Sequence, residues 1–537
     1  MKNINKFILL FVVMIIAAVP ASYAYLIYTP QWSERLNATI GPTSFPLDVL
    51  YSVTFDSNYA YFIGTFTGSG YSGNATTNSS LIIVSYKGDI INNYAYYYVN
   101  GNLTSVDALY AWGNVYITGY LSDSTGVYGT VYSVNSSNGD IENEYVDVDT
   151  NFTIMRGVCR DGLGHIFTVG LQFSPNGSPK VNATVFEFDE NLNLVARNEF
   201  YMSGFNLTGW DCVVGPGGAL YISATVYYYY GGYNYPVYFL LMKLDQSLGL
   251  VDYTLYPLYN SQGYVTLSSN HWIPLATDNN LVYAAYTWAD DKPSPSSPTN
   301  RASVIAVNTS LSVVWNYTLS TDAYEFFDAL SVGSDGSLIT GGGTNNNYTT
   351  PLSTDYYHGL VLIFDATHSL QRAILFGGSS GEAVLATGID ALGGTYLASV
   401  SYSDNVSFYD VTKEVLLARS NPGGGIGLAT IGKGDYTRLP VNALGKIHVY
   451  AGTPGSSAFP KAVKQIIRLA ESRAIESRAI VPEVTSSGLS SGLAVKLADT
   501  LTPPPEPVPE SVLVPVSVVA ALALILLVMW RRGFLSI

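Results

Sequence analysis

Along most of the chain, short runs of alternating apolar and polar residues follow one another, rich in Val, Ile, Tyr and Thr. A period of two puts successive side chains on opposite faces of an extended strand, so these runs predict strands. One unit recurs: an apolar strand, a tight Gly/Asp/Asn turn, then a strand ending in a small residue. Its clearest copies are Val106–Gly119, Val158–Gly170 and Asp211–Ala224, then Asp328–Gly341 and Gly388–Ser399, with weaker copies at Leu50–Gly64 and Ile273–Ala285. The closing residues Gly64, Gly119, Gly170, Ala224, Ala285, Gly341 and Ser399 are 55, 51, 54, 61, 56 and 58 residues apart. A second strand pair follows most copies, as in Val185–Asp189 with Leu194–Phe200 and Phe239–Asp245 with Leu250–Tyr256. Four strands per unit is the pattern of a propeller blade, because one such sheet buries its faces only by stacking on its neighbours. The fold class expected is all-β: a β-propeller of four-stranded antiparallel blades, seven favoured and eight as the alternative.

The stretch Phe376-Gly377-Gly378, Glu382-Ala383, Ile389-Asp390, Gly393-Gly394-Thr395-Tyr396 resembles the prokaryotic seven-bladed β-propeller repeat, as does Gly113-Asn114-Val115-Tyr116-Ile117-Thr118-Gly119. The resemblance covers about residues 45–425 in degenerate form: one copy keeps the Phe-Gly-Gly. It implies a fold and a surface location and transfers no catalytic residues, while composition and glycan sequons suggest an archaeal-type cell-surface protein. Gln31–Thr39 looks like a lone outer strand that would complete the last blade. Ala443–Ala451 echoes Ala391–Ser399 and would open an eighth blade. Beyond it, Val463, Ile466, Ile467, Ala470 and Ala474 are spaced as one face of a helix expected over 461–479.

The chain ends add a topology. Lys2 and Lys6, an apolar run from Phe7 to Val19, then Ser22 and Ala24 form a signal peptide over 1–24. Val512–Trp530 is 19 residues without a charge, long enough to span a bilayer as a helix, and Arg531-Arg532 follows it. The organisation expected is therefore a signal peptide (1–24), a propeller ectodomain (25–429) and a C-terminal extension (430–482). A Ser/Gly- then Pro-rich stalk (483–511), a transmembrane helix (512–530) and a cytoplasmic tail (531–537) complete it. The body lies outside the cell in this reading.

Composition sharpens that picture. Charged residues make up 12% of the chain, against roughly 25% in an average soluble domain. The net charge of −15 argues against nucleic acid, whose binding draws on Lys and Arg. Residues 25–429 hold 12 basic and 33 acidic residues, a balance of −21. Residues 430–500 hold nine basic and five acidic, a balance of +4. Glycan acceptor sequons occur at Asn37, Asn74, Asn78, Asn102, Asn135, Asn151, Asn176, Asn182, Asn206, Asn308, Asn316, Asn347 and Asn405, and none lies beyond. Their distribution fits a glycosylated ectodomain.

Candidate chemistry is sparse. Gly377–Gly381 matches G-x-S-x-G and Gly68–Gly73 matches G-x-G-x-x-G, but neither opens a helix, so both read as turns. The His residues His165, His271, His358, His368 and His448 lack metal-ligand spacing, and Asp147 and Asp149 read as a solvated strand face. No metal and no cofactor is expected. Cys159 and Cys212, 53 residues apart in consecutive repeats, form either a disulfide or two buried thiols. The Tyr-rich stretch around Tyr229, Tyr230, Tyr233 and Tyr235 falls in the link between two strands of the fourth repeat, where it contacts a protein or glycan or packs between blades. The function expected is a membrane-anchored, glycosylated surface propeller for binding, adhesion or envelope structure, with envelope proteins or glycans as partners. The alternative is an extracellular propeller enzyme acting on glycans, using carboxylates such as Asp107, Asp211 and Asp328 just before inner strands.

Overall fold

A computed structural model of the chain describes residues 49–412 apart from short loop segments. It also describes short strands at 26–27, 37–40, 43–46, 427–429, 448–449, 476–480, 493–497 and 500–501. The signal peptide and the transmembrane segment lie outside the described residues, among which no helix is long and apolar enough to cross a membrane.

Among the described residues, six antiparallel four-stranded blades succeed one another along the chain. Their inner strands are Val49–Phe55, Asn102–Ala111, Thr153–Arg160, Asn206–Val214, Leu275–Thr277 and Glu325–Val332. Apolar side chains of adjacent sheets interlock between blades. Phe167, Val185 and Phe200 of blade 3 meet Leu207, Ile222 and Leu240 of blade 4, for example.

Among the described residues, six complete blades stand where seven are expected. The seventh repeat is a two-stranded sheet, Glu382–Ile389 with Thr395–Ser401, among the described residues. It packs between the inner strands of blade 6 and blade 1. Val384 joins Ile339 and Ile374 on one side, and Ala386, Tyr396 and Ala398 join Ala60 and Phe62 on the other. The chain then turns back: Ser407–Asp410 pairs with the outer strand of blade 6, Gly377 opposite Ser407 and Ile374 opposite Asp410. Leu26–Ile27 adds outside it. An open strand edge thus captures Ser407–Asp410, which follows the seventh repeat in the chain. Of the closing strand expected over Gln31–Thr39, residues 31–36 lie outside the described residues. Asn37–Ile40 pairs with Thr43–Pro46 and Thr500–Leu501.

The C-terminal extension also departs from expectation. His448–Val449 runs parallel to Tyr264–Val265, so the described part of the eighth copy belongs to no antiparallel blade. Glu476–Ile480 is a strand on the outer edge of blade 3, so the helix expected over 461–479 does not reach its stated end. Hydrogen bonds offered by an open edge outweigh the modest helix preference of a short Ala/Glu/Arg segment. Gly427–Ala429 caps blade 5 and Leu493–Leu497 caps blade 1. Part of the stalk expected over 483–511 is therefore strand-paired. The rest of that stalk, and of the helix, lies outside the described residues.

The recurring Gly has a local cause. Six inner strands carry a bulge in one shared register: Leu50/Ser52, Ser105/Asp107, Met155/Gly157, Gly209/Asp211, Phe327/Ala329 and Val384/Ala386. A bulge places two residues against one and drives a carbonyl toward the second strand. A Cβ on Gly119 would sit 1.8 Å from Thr104 O, on Gly170 1.8 Å from Ile154 O, and on Gly342 1.9 Å from Phe326 O. The equivalent residue of repeat six is thus Gly342 rather than Gly341.

Candidate functional site

The inner strands of all seven repeats line a central channel with about 330 Å³ of free volume. Its wall includes Ser52, Asp107, Cys159, Asp211, Leu275, Ala329 and Ala386. Asp107 and Asp211 sit directly after the bulge in blades 2 and 4, inside the inner strands rather than before them. Asp328 is the bulged residue itself, one position earlier, so the three carboxylates are not equivalent.

Asp107 joins three blades. Its Oδ1 accepts from Ser52 Oγ of blade 1 at 2.7 Å and from its neighbour Ala108 N at 2.8 Å. Its Oδ2 accepts from Val158 N of blade 3 at 2.9 Å. Asp211 accepts from Cys212 N with Oδ1 and from Leu275 N of blade 5 with Oδ2, both at 2.7 Å. Burial pushes the Asp107 carboxyl up to about 6, against the pull of its hydrogen bonds. Burial, then the charge of Asp107, holds Asp211 well above the usual carboxylate range. In each of these carboxylates one oxygen caps a backbone amide of the next blade while the other is held within the ring, so each staples neighbouring blades together. Cys159 and Cys212 form a disulfide in the same wall, joining blades 3 and 4 with Cα atoms 5.7 Å apart.

A second set of polar links surrounds the channel at the starts of the inner strands. Asn102 Oδ1 accepts from Thr77 N, and Asn206 Oδ1 accepts from Val181 N, each from the previous blade's third strand. A carboxylate performs the same linkage at Glu325, 3.9 Å from Arg301 Nη1, and at Glu382, 3.3 Å from His358 Nδ1. Gly377 of the Phe-Gly-Gly gives these last two room: a Cβ there would lie 2.3 Å from His358 Nδ1. This Gly-rich segment joins two sheets and is no nucleophile elbow. Gly68-Ser69 likewise belongs to a strand, and the rest of the second Gly motif lies outside the described residues.

Asp147 is buried rather than solvated. It accepts from Arg197 Nη1 at 3.2 Å and from Thr153 Oγ1 at 2.6 Å. Asp149 lies outside the described residues. His165 lies beside Asp161 and Glu187, and His368 stacks on Trp315, its burial lowering its affinity for a proton. No group of three or more metal-ligating side chains occurs among the described residues.

The Tyr-rich stretch is not a loop. It extends a long hairpin of blade 4, Leu220–Tyr230 paired with Tyr233–Leu244, with Tyr228 opposite Tyr235 and Tyr229 opposite Asn234. Tyr229 is 47% exposed, whereas Tyr235 is 1% exposed and does not serve as a surface contact. Tyr230 and Tyr233 are strand residues paired across the hairpin tip. Four sequon asparagines are also corrected. Asn78, Asn182, Asn206 and Asn316 are buried, and a glycan needs its amide nitrogen in solvent. Asn102, Asn135 and Asn308 remain part-exposed. Asn37 lies in a described strand, and Asn74, Asn151, Asn176, Asn347 and Asn405 lie outside the described residues.

One side chain went unnoticed in the sequence. Arg156, the bulged residue of blade 3, stacks over Trp210, the bulged residue of blade 4, 3.9 Å from the ring centroid. Its signal was a lone cation between Met155 and Gly157 in an otherwise small and apolar run.

These features define the chain as a β-propeller whose channel carboxylates bind its own backbone. No protein-family model and no curated protein matches it. Among solved structures it is similar to Kuenenia stuttgartiensis hydrazine synthase, at 11% identity over 67% of this chain and 95% of that one, with a TM-score of 0.39. It is also similar to Chaetomium thermophilum Sqt1 bound to the N-terminus of ribosomal protein L10, at 10% identity over 70% and 99%, with a TM-score of 0.36. A neuraminidase-like protein from A/bat/Guatemala/164/2009 is similar at 9% identity over 72% and 94%, with a TM-score of 0.34.

Proposed function

We propose that the protein is a propeller of the prokaryotic seven-bladed repeat type. In this reading Val512–Trp530 anchors it in the membrane, its ring lies outside the cell, and it acts as a binding, adhesion or envelope-structural module. The observation that carries this reading is the engagement of both oxygens of Asp107 and of Asp211 by hydrogen bonds within the ring. A channel wall so engaged favours scaffolding over acid–base catalysis. The inter-blade disulfide supports an oxidising compartment. Recognition then falls to the outer faces, where Tyr229 is presented on the long hairpin of blade 4. Partners of this chemistry are envelope proteins or glycans.

Protease added to intact cells tests the placement. The ring should be cleaved from outside while the protein fractionates with membranes, and its detergent-solubilised form should co-purify with envelope proteins. Full protection in intact cells would overturn the reading. Hydrolysis of an envelope glycan by the wild type, lost in D107N, would favour the glycan-acting enzyme instead.

A further inference from the structure

Arg197 and Arg301 are buried in the ring, and Arg156 is partly buried. Arg197 has Asp147 at 3.2 Å, and Arg301 has Glu325 at 3.9 Å. Arg156 differs. Among the described residues its guanidinium makes no hydrogen bond and no ion pair, and its Nη1 is buried. Its placement is deliberate at the backbone level. Thr118 Oγ1 of blade 2 donates to Arg156 O at 2.9 Å, fixing the bulge. Gly157 follows, and a Cβ there would lie 2.5 Å from Asp211 Cα and 3.0 Å from Trp210 O. That close approach brings the Trp210 ring under the guanidinium. The ring is held in turn by its own Nε1, which donates to Thr225 Oγ1 at 2.7 Å. Tyr120 and Tyr227 are near enough to sense the arginine's charge.

Burial lowers the Arg156 pKa to about 10, so the group stays cationic at neutral pH. A cation taken out of water without a counter-ion is costly, and one aromatic face returns only part of that cost. The residue as a whole keeps partial exposure although its Nη1 is buried. A planar guanidinium matches a carboxylate through two parallel N–H···O bonds. The balance of −21 over residues 25–429 disfavours polyanions and dianions, leaving a monoanion as the species that gains. We propose that Arg156, with Trp210 beneath it, binds a ligand carrying a single carboxylate. The source is either an acidic saccharide unit or a small free organic acid. This site stands whether or not the chain is anchored outside the cell.

Isothermal titration of the detergent-solubilised full chain tests it, with D-glucuronate, acetate and neutral D-glucose as probes. Wild type should bind glucuronate, acetate or both, and not glucose. R156Q should weaken binding at least tenfold. R156K, which keeps the charge but loses the fork, should fall between them and serves as the readout if R156Q does not fold. Glucuronate binding with acetate silent identifies an acidic saccharide, whereas equal binding of both identifies a small free carboxylate. Failure of wild type to bind either anion, or unchanged binding in both variants, overturns the proposal.

Discussion

Asp107 shows how one side chain gives the ring a pH dependence. Burial lifts its carboxyl from 3.8 to about 6. Between those values the folded chain holds a proton that the unfolded chain has released. Stability from this group therefore falls as pH rises from about 4 to about 6, then stays level, a span of about 3 kcal/mol at ~1.4 kcal/mol per unit. Asp211 and Glu187, also raised by burial, act in the same direction. His368 opposes them below 6.5, because burial keeps it neutral in the fold. The clean readout is therefore a difference: the gain in Tm from pH 7 to pH 5 should be larger in wild type than in D107N. Equal gains would remove Asp107 from this account. The glycines opposite the bulges make a second prediction at this scale. Gly170→Ala places a Cβ 1.8 Å from Ile154 O, and the inner strand must shift, at about 3 kcal/mol. Gly162→Ala meets nothing within 4 Å and should be near neutral in the same denaturant titration. The sequence displayed Gly170 as a repeat mark. It hid the reason, because a bulge is one extra residue that a period of two does not register.

Among elements, the strands of blades 1 to 6 were legible because alternation and turn residues are local signals. Which edge each late strand would join was not local, and there the reading failed. Ser407–Asp410 alternates as a third strand of blade 7 would, yet it pairs with blade 6. The Tyr-rich stretch read as a loop, but aromatic residues favour strands, and long pairing extends the hairpin to Tyr230. The disulfide was legible only as a choice between two states, since repeat equivalence says nothing of how close neighbouring inner strands run. Cys159 and Cys212 close a loop of 53 residues, for which loop-closure entropy predicts about 4 kcal/mol of stabilisation. Equilibrium unfolding of wild type with and without reductant, beside C159S/C212S, measures it. A double variant as stable as oxidised wild type would show that the blades hold without the bridge.

For the whole molecule, the seventh position is where the ring closes and where it is thinnest. Blades 1 to 6 each present four strands, whereas Glu382–Ile389 and Thr395–Ser401 form a pair among the described residues. That pair is the only described sheet lying between the inner strands of blade 6 and blade 1. Tyr396 locks it. Its hydroxyl donates to Asp390 Oδ2 at 3.0 Å, and its ring packs on Phe55 at 5.0 Å and Tyr86 at 6.0 Å. A sheet with fewer ladder bonds and fewer neighbours opens at lower free energy than the blades it joins. Native-state hydrogen exchange should therefore show amides of 382–401 exchanging through a sub-global opening, ahead of those in 166–188. Y396A removes a buried aromatic side chain, at about 3–5 kcal/mol, and should lower the opening energy at 382–401 and 49–55 together. The inner strand of blade 1 loses its neighbour when the seam parts, so a loss of protection confined to 382–401 would mean that the ring stays closed without this sheet.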